Sequence, residues 1–122
     1  MGPFPEHWHV APSLPQVAVL GACDAVVCHG GNNTVMEALA HGLPVLAGPM
    51  SSDQFVAAED LRRAGVGDAF APNDHDATGI ARRIDALLTG PANERARSLG
   101  RRVRQQPGAA RAWDLIEAQR GA

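Results

Sequence analysis

The run Asp24-Ala-Val-Val-Cys28 is apolar and β-branched, and it breaks abruptly at His29-Gly30-Gly31. From Asn33 to His41 the apolar residues Val35, Met36, Leu39 and Ala40 recur at helical spacing. A strand feeding a glycine turn and then an amphipathic helix permits few folds, and the chain repeats the theme. Gly42 is placed to cap this helix and Pro44 to stop it. Pro44 to Ala47 is the next predicted strand, leaving through Gly48-Pro49. Asp53 to Ala64 is predicted as a helix capped at Gly65, and Gly67 to Phe70 as a final strand.

Upstream, Trp8 to Ala11 is predicted as a strand and Val17 to Ala22 as a short helix. Downstream, Ile80, Ile84, Leu87 and Leu88 define an amphipathic helix. Ala96, Leu99 and Val103 define another, and Ala109, Ala112, Trp113 and Ile116 a last one, with Pro91 and Pro107-Gly108 between them. Strand and helix alternating over short connections predict an α/β fold, a Rossmann-like parallel sheet with helices on both faces. Ligands of such sheets bind beyond the C-terminal ends of the strands. The exit loops there are His29-Gly-Gly31, Gly48-Pro-Met50 and Ala71-Pro72.

The 122 residues suit one domain. The chain is 45% hydrophobic, enough for a core. Its net charge of −2 argues against nucleic-acid or anionic-membrane partners, which select basic faces. Every one of its 11 positive charges is arginine. The two cysteines, Cys23 and Cys28, cannot complete a zinc site alone and are expected as reduced core thiols. No apolar run approaches the ~18 residues of a membrane span, and the N-terminus shows no basic-then-apolar signal pattern. The expectation is a cytoplasmic protein with no metal centre and no cofactor.

The glycine turn carries the chemistry. Glycines let a ligand approach the backbone, and a helix start offers unpaired N–H groups at its positive dipole end. Phosphate suits such a place. Asn33 and Thr34 add side-chain donors, and His29 is able to donate to a phosphate oxygen. Glu37 lies four residues after Asn33 and three after Thr34, on the same helix face. A carboxylate there repels phosphate but accepts from ribose hydroxyls. The competing reading is structural: Asn and Thr are common N-caps, and Glu37 is then an ordinary acid.

The second loop, Gly48-Pro-Met-Ser-Ser-Asp53-Gln54, has two readings. Asp53 and Gln54 are able to hold sugar hydroxyls. Equally, Ser51 with Gln54 three residues on is a capping-box pattern, and Asp53 suits a helix dipole. His7 and His9 flank Trp8 and read as surface and core residues, and His41 as a cation at a helix C-terminus.

In order, Ala11-Pro-Ser-Leu-Pro-Gln16, the stretch HGGNNTVMEALAHGLPVLAGP from His29, and Asp53-Gln54 resemble the signature of the UDP-glycosyltransferase-like superfamily, the family 1 glycosyltransferases. The resemblance is close over the first half of the chain and loose beyond. It implies the GT-B fold, in which two Rossmann-like domains face each other across a cleft. By this resemblance His29 contacts the diphosphate, and Gly31, Asn33 and Thr34 contact the phosphates. Glu37 then binds ribose, Gln16 lies near the base, and Asp53 and Gln54 bind the donor sugar. The chain departs from the pattern at Ser13, where the family often stacks a tryptophan on the base.

The resemblance implies the donor-binding part of an enzyme moving sugar from a UDP- or TDP-sugar to a hydroxyl-bearing small molecule. It also implies a C-terminal GT-B domain truncated at its N-terminus, with the acceptor-binding domain absent and no catalytic residue in this chain. The bacterial members that glycosylate antibiotics are the better likeness. A non-catalytic nucleotide-sugar binding module stays open. So does a related GT-B enzyme, a lipid-linked N-acetylglucosamine transferase or a sugar-nucleotide epimerase. By the family's strand order the strand at Asp24 to Cys28 keeps one neighbour, the strand at Pro44 to Ala47. Its open edge, together with Trp113 and Ile116 expected to face water, predicts a homodimer.

Overall fold

The computed structural model describes residues 4–71, 76–105, 116 and 118. Its elements are α1 (Gln16–Leu20), β1 (Val26–Cys28), α2 (Asn32–Ala40), β2 (Val45–Ala47), α3 (Ser52–Ala64), β3 (Gly67–Ala69), α4 (Ala77–Thr89) and α5 (Pro91–Arg104). The strands form one parallel sheet in the order β1-β2-β3. Val26, Val45 and Gly67 stand in register, so all three strands exit at the same end.

The centre of the sheet is sealed on both faces. Alternate strand residues point to opposite sides, and all three residues of β2 are buried. Val45 and Ala47 join a cluster with Val35, Ala38 and Leu39 of α2, Ala58 and Leu61 of α3, and Ala96 and Leu99 of α5. Leu46 and Leu87 are buried but stand outside that cluster, and α4 meets both β2 and β3. Helices therefore cover both faces at β2. At β1 the cover fails on one side: Val27, level with Leu46, is half exposed. Among the described residues β2 is the sole partner of β1, as the sequence predicts.

Two expectations are corrected. Trp8 to Ala11 forms no strand. The Trp8 N–H donates to the Pro5 carbonyl in a turn, and the indole stacks on Phe4 with ring centroids 5.6 Å apart. A strand needs a neighbour for its N–H and C=O groups, and among the described residues no strand pairs with this segment. Ile116, expected to face water, is only 5% exposed and belongs to the core cluster. The rest of the last predicted helix, with Trp113, lies outside the described residues.

The glycine stop after α2 is as predicted. Gly42 takes φ 74°. Its N–H donates to Leu39 O and that of Leu43 to Ala38 O, which closes the helix end. That bend lets α5 come down on the end of α2. A Cβ at Gly100 would lie 2.6 Å from the Gly42 backbone. We expect Gly100→Ala to lower Tm, because overpacking costs about 1–3 kcal/mol and outweighs the ~1 kcal/mol of helix propensity gained. Calorimetric melting checks this, and an unchanged or higher Tm contradicts the close approach.

Candidate anion-binding site at the glycine turn

The exits of β1 and β2 build the site. His29 follows β1, and its ring folds back over the turn. Nδ1 accepts the Gly31 N–H at 2.9 Å. A Cβ on Gly31 would come within 2.6 Å of His29 Cε1, so only glycine leaves the ring this position. With Nδ1 accepting, the neutral imidazole carries its proton on Nε2. Cys28 lies half-buried just before the turn. Burial pushes its thiol up, and a hydrogen bond from the Gly30 backbone pulls it partly back.

Gly31 is the N-cap of α2, and no side chain caps that helix. The helix begins one residue earlier than the periodicity predicts, at Asn32. The first paired amide is that of Val35, which donates to Gly31 O. The N–H groups of Asn32, Asn33 and Thr34 have no partner among the described residues. They open on a cleft of about 290 Å³ lined by His29, Gly31, Asn32, Asn33 and Thr34. Three unpaired amides, the positive end of a helix dipole and two side-chain amides make a place for an anion. Asn32 is the lining residue that sequence reasoning missed. Only the true helix start identifies it.

Docking of α1 against α2 brings three predicted residues together. The Gln16 amide Nε2 donates to Glu37 Oε2 at 2.6 Å and reaches Thr34 Oγ1 at 3.5 Å. Glu37 therefore stands one turn beyond the free amides, with one carboxylate oxygen already accepting. His41 closes the far end of α2 as predicted, its Nδ1 lying 2.8 Å from the Glu37 carbonyl.

The second loop touches the first. A Cβ on Gly30 would sit 3.3 Å from the Gln54 carbonyl, so the glycine turn lies directly against the start of α3. The reciprocal Ser51–Gln54 capping box does not form. Ser51 is the N-cap of α3 without a side-chain bond, and Gln54 Oε1 accepts from Met50 N–H at 2.8 Å instead. The Gln54 side-chain oxygen Oε1 thus braces the loop, while its NH₂ group makes no bond among the described residues. Asp53 is exposed in the first turn of α3. No hydrogen bond joins Asp53 or Gln54 to Gln16 or Glu37. Gln54 meets the glycine turn at Gly30.

A parallel sheet with an uncapped helix start at its strand exits defines an α/β module with a candidate anion site. The family profile described as erythromycin biosynthesis protein CIII-like, C-terminal domain, matches residues 1–112, and the chain belongs to that family. It is 35% identical to demethyllactenocin mycarosyltransferase of Streptomyces fradiae, over 96% of this chain and 26% of that protein. It is 33% identical to oleandomycin glycosyltransferase of Streptomyces antibioticus, over 98% of this chain and 28% of the relative. A solved glycosyltransferase of kitacinnamycin superposes with a TM-score of 0.80 at 32% identity, covering 98% of this chain and 31% of that one. The calicheamicin glycosyltransferase CalG4 gives 0.80 at 29% identity, over 98% and 31%. These likenesses place the fold as that of the GT-B C-terminal domain. The chain spans under a third of the length of each of these proteins.

We expect Gln54→Ala to cost about 1 kcal/mol by leaving Met50 N–H without its acceptor, and to speed hydrogen exchange at that amide. Gln54→Glu, which keeps an acceptor oxygen, should restore protection. Equal exchange in all three proteins contradicts the brace.

Proposed function

We propose that this chain holds the nucleoside diphosphate of a UDP- or TDP-sugar at the glycine turn. It does so as the donor-binding part of a glycosyltransferase whose acceptor is a hydroxyl-bearing small molecule. One observation carries the reading: three unpaired backbone amides sit at the start of α2, and a carboxylate follows one turn on. The diphosphate takes the amides of Asn32, Asn33 and Thr34, with His29 Nε2 donating beside them. Glu37 accepts from ribose hydroxyls next to Gln16, and Gln16 borders the base. Asp53 as acceptor and the NH₂ of Gln54 as donor suit adjacent hydroxyls of the sugar. No metal or cofactor enters the proposal, because the helix tip and His29 supply the positive side. The relatives described above are by name sugar transferases, a mycarosyltransferase and two glycosyltransferases among them, which supports this class of reaction.

Transfer requires an acceptor hydroxyl to lose its proton to a base. The proposal assigns that base, and the acceptor, to a separate domain, as the resemblance implies. No helix among the described residues is long and apolar enough to cross a membrane, and a cytoplasmic site of action fits the proposal.

Calorimetry with UDP and TDP tests the reading. Glu37→Ala should weaken both nucleotides, by about 1.5–3 kcal/mol where the ribose hydroxyl joins the Gln16 amide on the carboxylate and by less where it displaces that amide, while sparing inorganic pyrophosphate. Failure of either nucleotide to bind at millimolar concentration, or equal loss of pyrophosphate, sinks it.

We also propose that the chain forms a homodimer. The unpaired edge of β1 and the exposed Val27 beside it favour this, since an open apolar edge is a template for another strand. Light scattering at several concentrations should give twice the chain mass. A monomer mass throughout refutes it.

A further inference from the structure

The bond between His29 and Gly31 does more than place a ring. It takes a fourth backbone donor away from the cleft. Gly31 N–H lies beside the three free amides of α2, yet it is spent on Nδ1 at 2.9 Å. The bond requires a lone pair on Nδ1, so it exists only while the imidazole is neutral. A proton on Nδ1 sets two N–H groups face to face at hydrogen-bond distance, and the contact becomes repulsive. The ring is exposed and able to leave. Its departure uncovers Gly31 N–H and converts a neutral donor into a cation at the mouth of an anion site.

We propose that His29 is a proton-operated latch: neutral, it covers the Gly31 amide, and protonated, it releases that amide to the diphosphate of the ligand. The proposal rests on the nucleotide-sugar reading and adds its regulation by pH. Histidine is the side chain whose charge ordinarily changes between about pH 5 and 8. The titratable groups on the adjoining elements are Cys28 of β1, Glu37 and the C-cap His41 of α2, and Asp53, Glu59, Asp60, Arg62 and Arg63 of α3. Burial keeps the Cys28 thiol uncharged across this range. Glu37 holds the Gln16 amide, Arg62 pairs with Asp68 and Arg63 with Glu59, and among the described residues none of these groups is bonded to His29. No carboxylate therefore competes with the ligand for the new charge. The sign follows: an anion favours the protonated ring, so binding takes up a proton and tightens as pH falls.

The test has two arms. In the ligand-free chain, ¹⁵N correlation spectra at about pH 8 should show the proton of His29 on Nε2. On acidification the Gly31 amide resonance should move together with the His29 ring. A proton on Nδ1, or a Gly31 amide that ignores the titration, overturns the latch. In the binding arm the probe is UDP-glucose, whose diphosphate diester keeps a constant charge in this range. Its affinity should rise about tenfold between about pH 8 and about pH 5.5, the gain of one charged hydrogen bond. Calorimetry in buffers of different ionisation enthalpy should register proton uptake. His29→Asn keeps an acceptor for Gly31 but cannot gain the proton, and its binding should be flat with pH. Equal affinity of the parent chain at both pH values overturns the latch and leaves the nucleotide reading standing. No binding at either pH defeats the nucleotide reading, and the Gly31 titration then decides the latch alone.

Discussion

The three-residue strand β2 is the constraint from which the rest of the structure follows. Val45, Leu46 and Ala47 are wholly withdrawn from water, which demands cover on two faces and a partner on two edges. Parallel pairing meets the second demand, and parallel strands need crossovers that helices supply. Each crossover returns the chain to the same end of the sheet. The glycine turn after β1 and the start of α3 after β2 are thereby brought into contact, although 18 residues lie between His29 and Gly48 in sequence. A site made of two short loops is positioned by a strand that contributes no side chain to it.

Much of this was legible in the sequence, for identifiable reasons. Helix α2 announces itself because its apolar stripe and its glycine stop are both local signals. Gly42 does close that helix with a positive φ. Spacing alone put Thr34 and Glu37 on one helix face, but that Gln16 joins them was legible only through the ordered family signature, since nothing local tells α1 to lie on α2. Their hydrogen bonds show the grouping to be physical.

What escaped the sequence depends on distant neighbours. Trp8 to Ala11 has strand-like residues, but strand formation is decided by an adjacent edge, and that edge is missing beside it. Ile116 has the same apolar character whether it is buried or wet, so its place in the core is a tertiary outcome. The Ser51–Gln54 spacing promised a capping box. The side chain instead accepts the Met50 amide. Spacing limits which bonds are possible, and local geometry chooses among them.

The bond from Gln16 to Glu37 changes what the carboxylate is worth. In the empty chain Glu37 is not a bare charge waiting in water, for an amide already satisfies one of its oxygens. On the proposed reading an incoming hydroxyl either exchanges with that amide or joins it, and exchange yields only the small difference between two hydrogen bonds. The site then loses little when one hydroxyl is absent from the ligand, because the amide simply stays where it is. On that reading such a built-in substitute makes the pocket forgiving toward a nucleotide sugar that lacks one hydroxyl there.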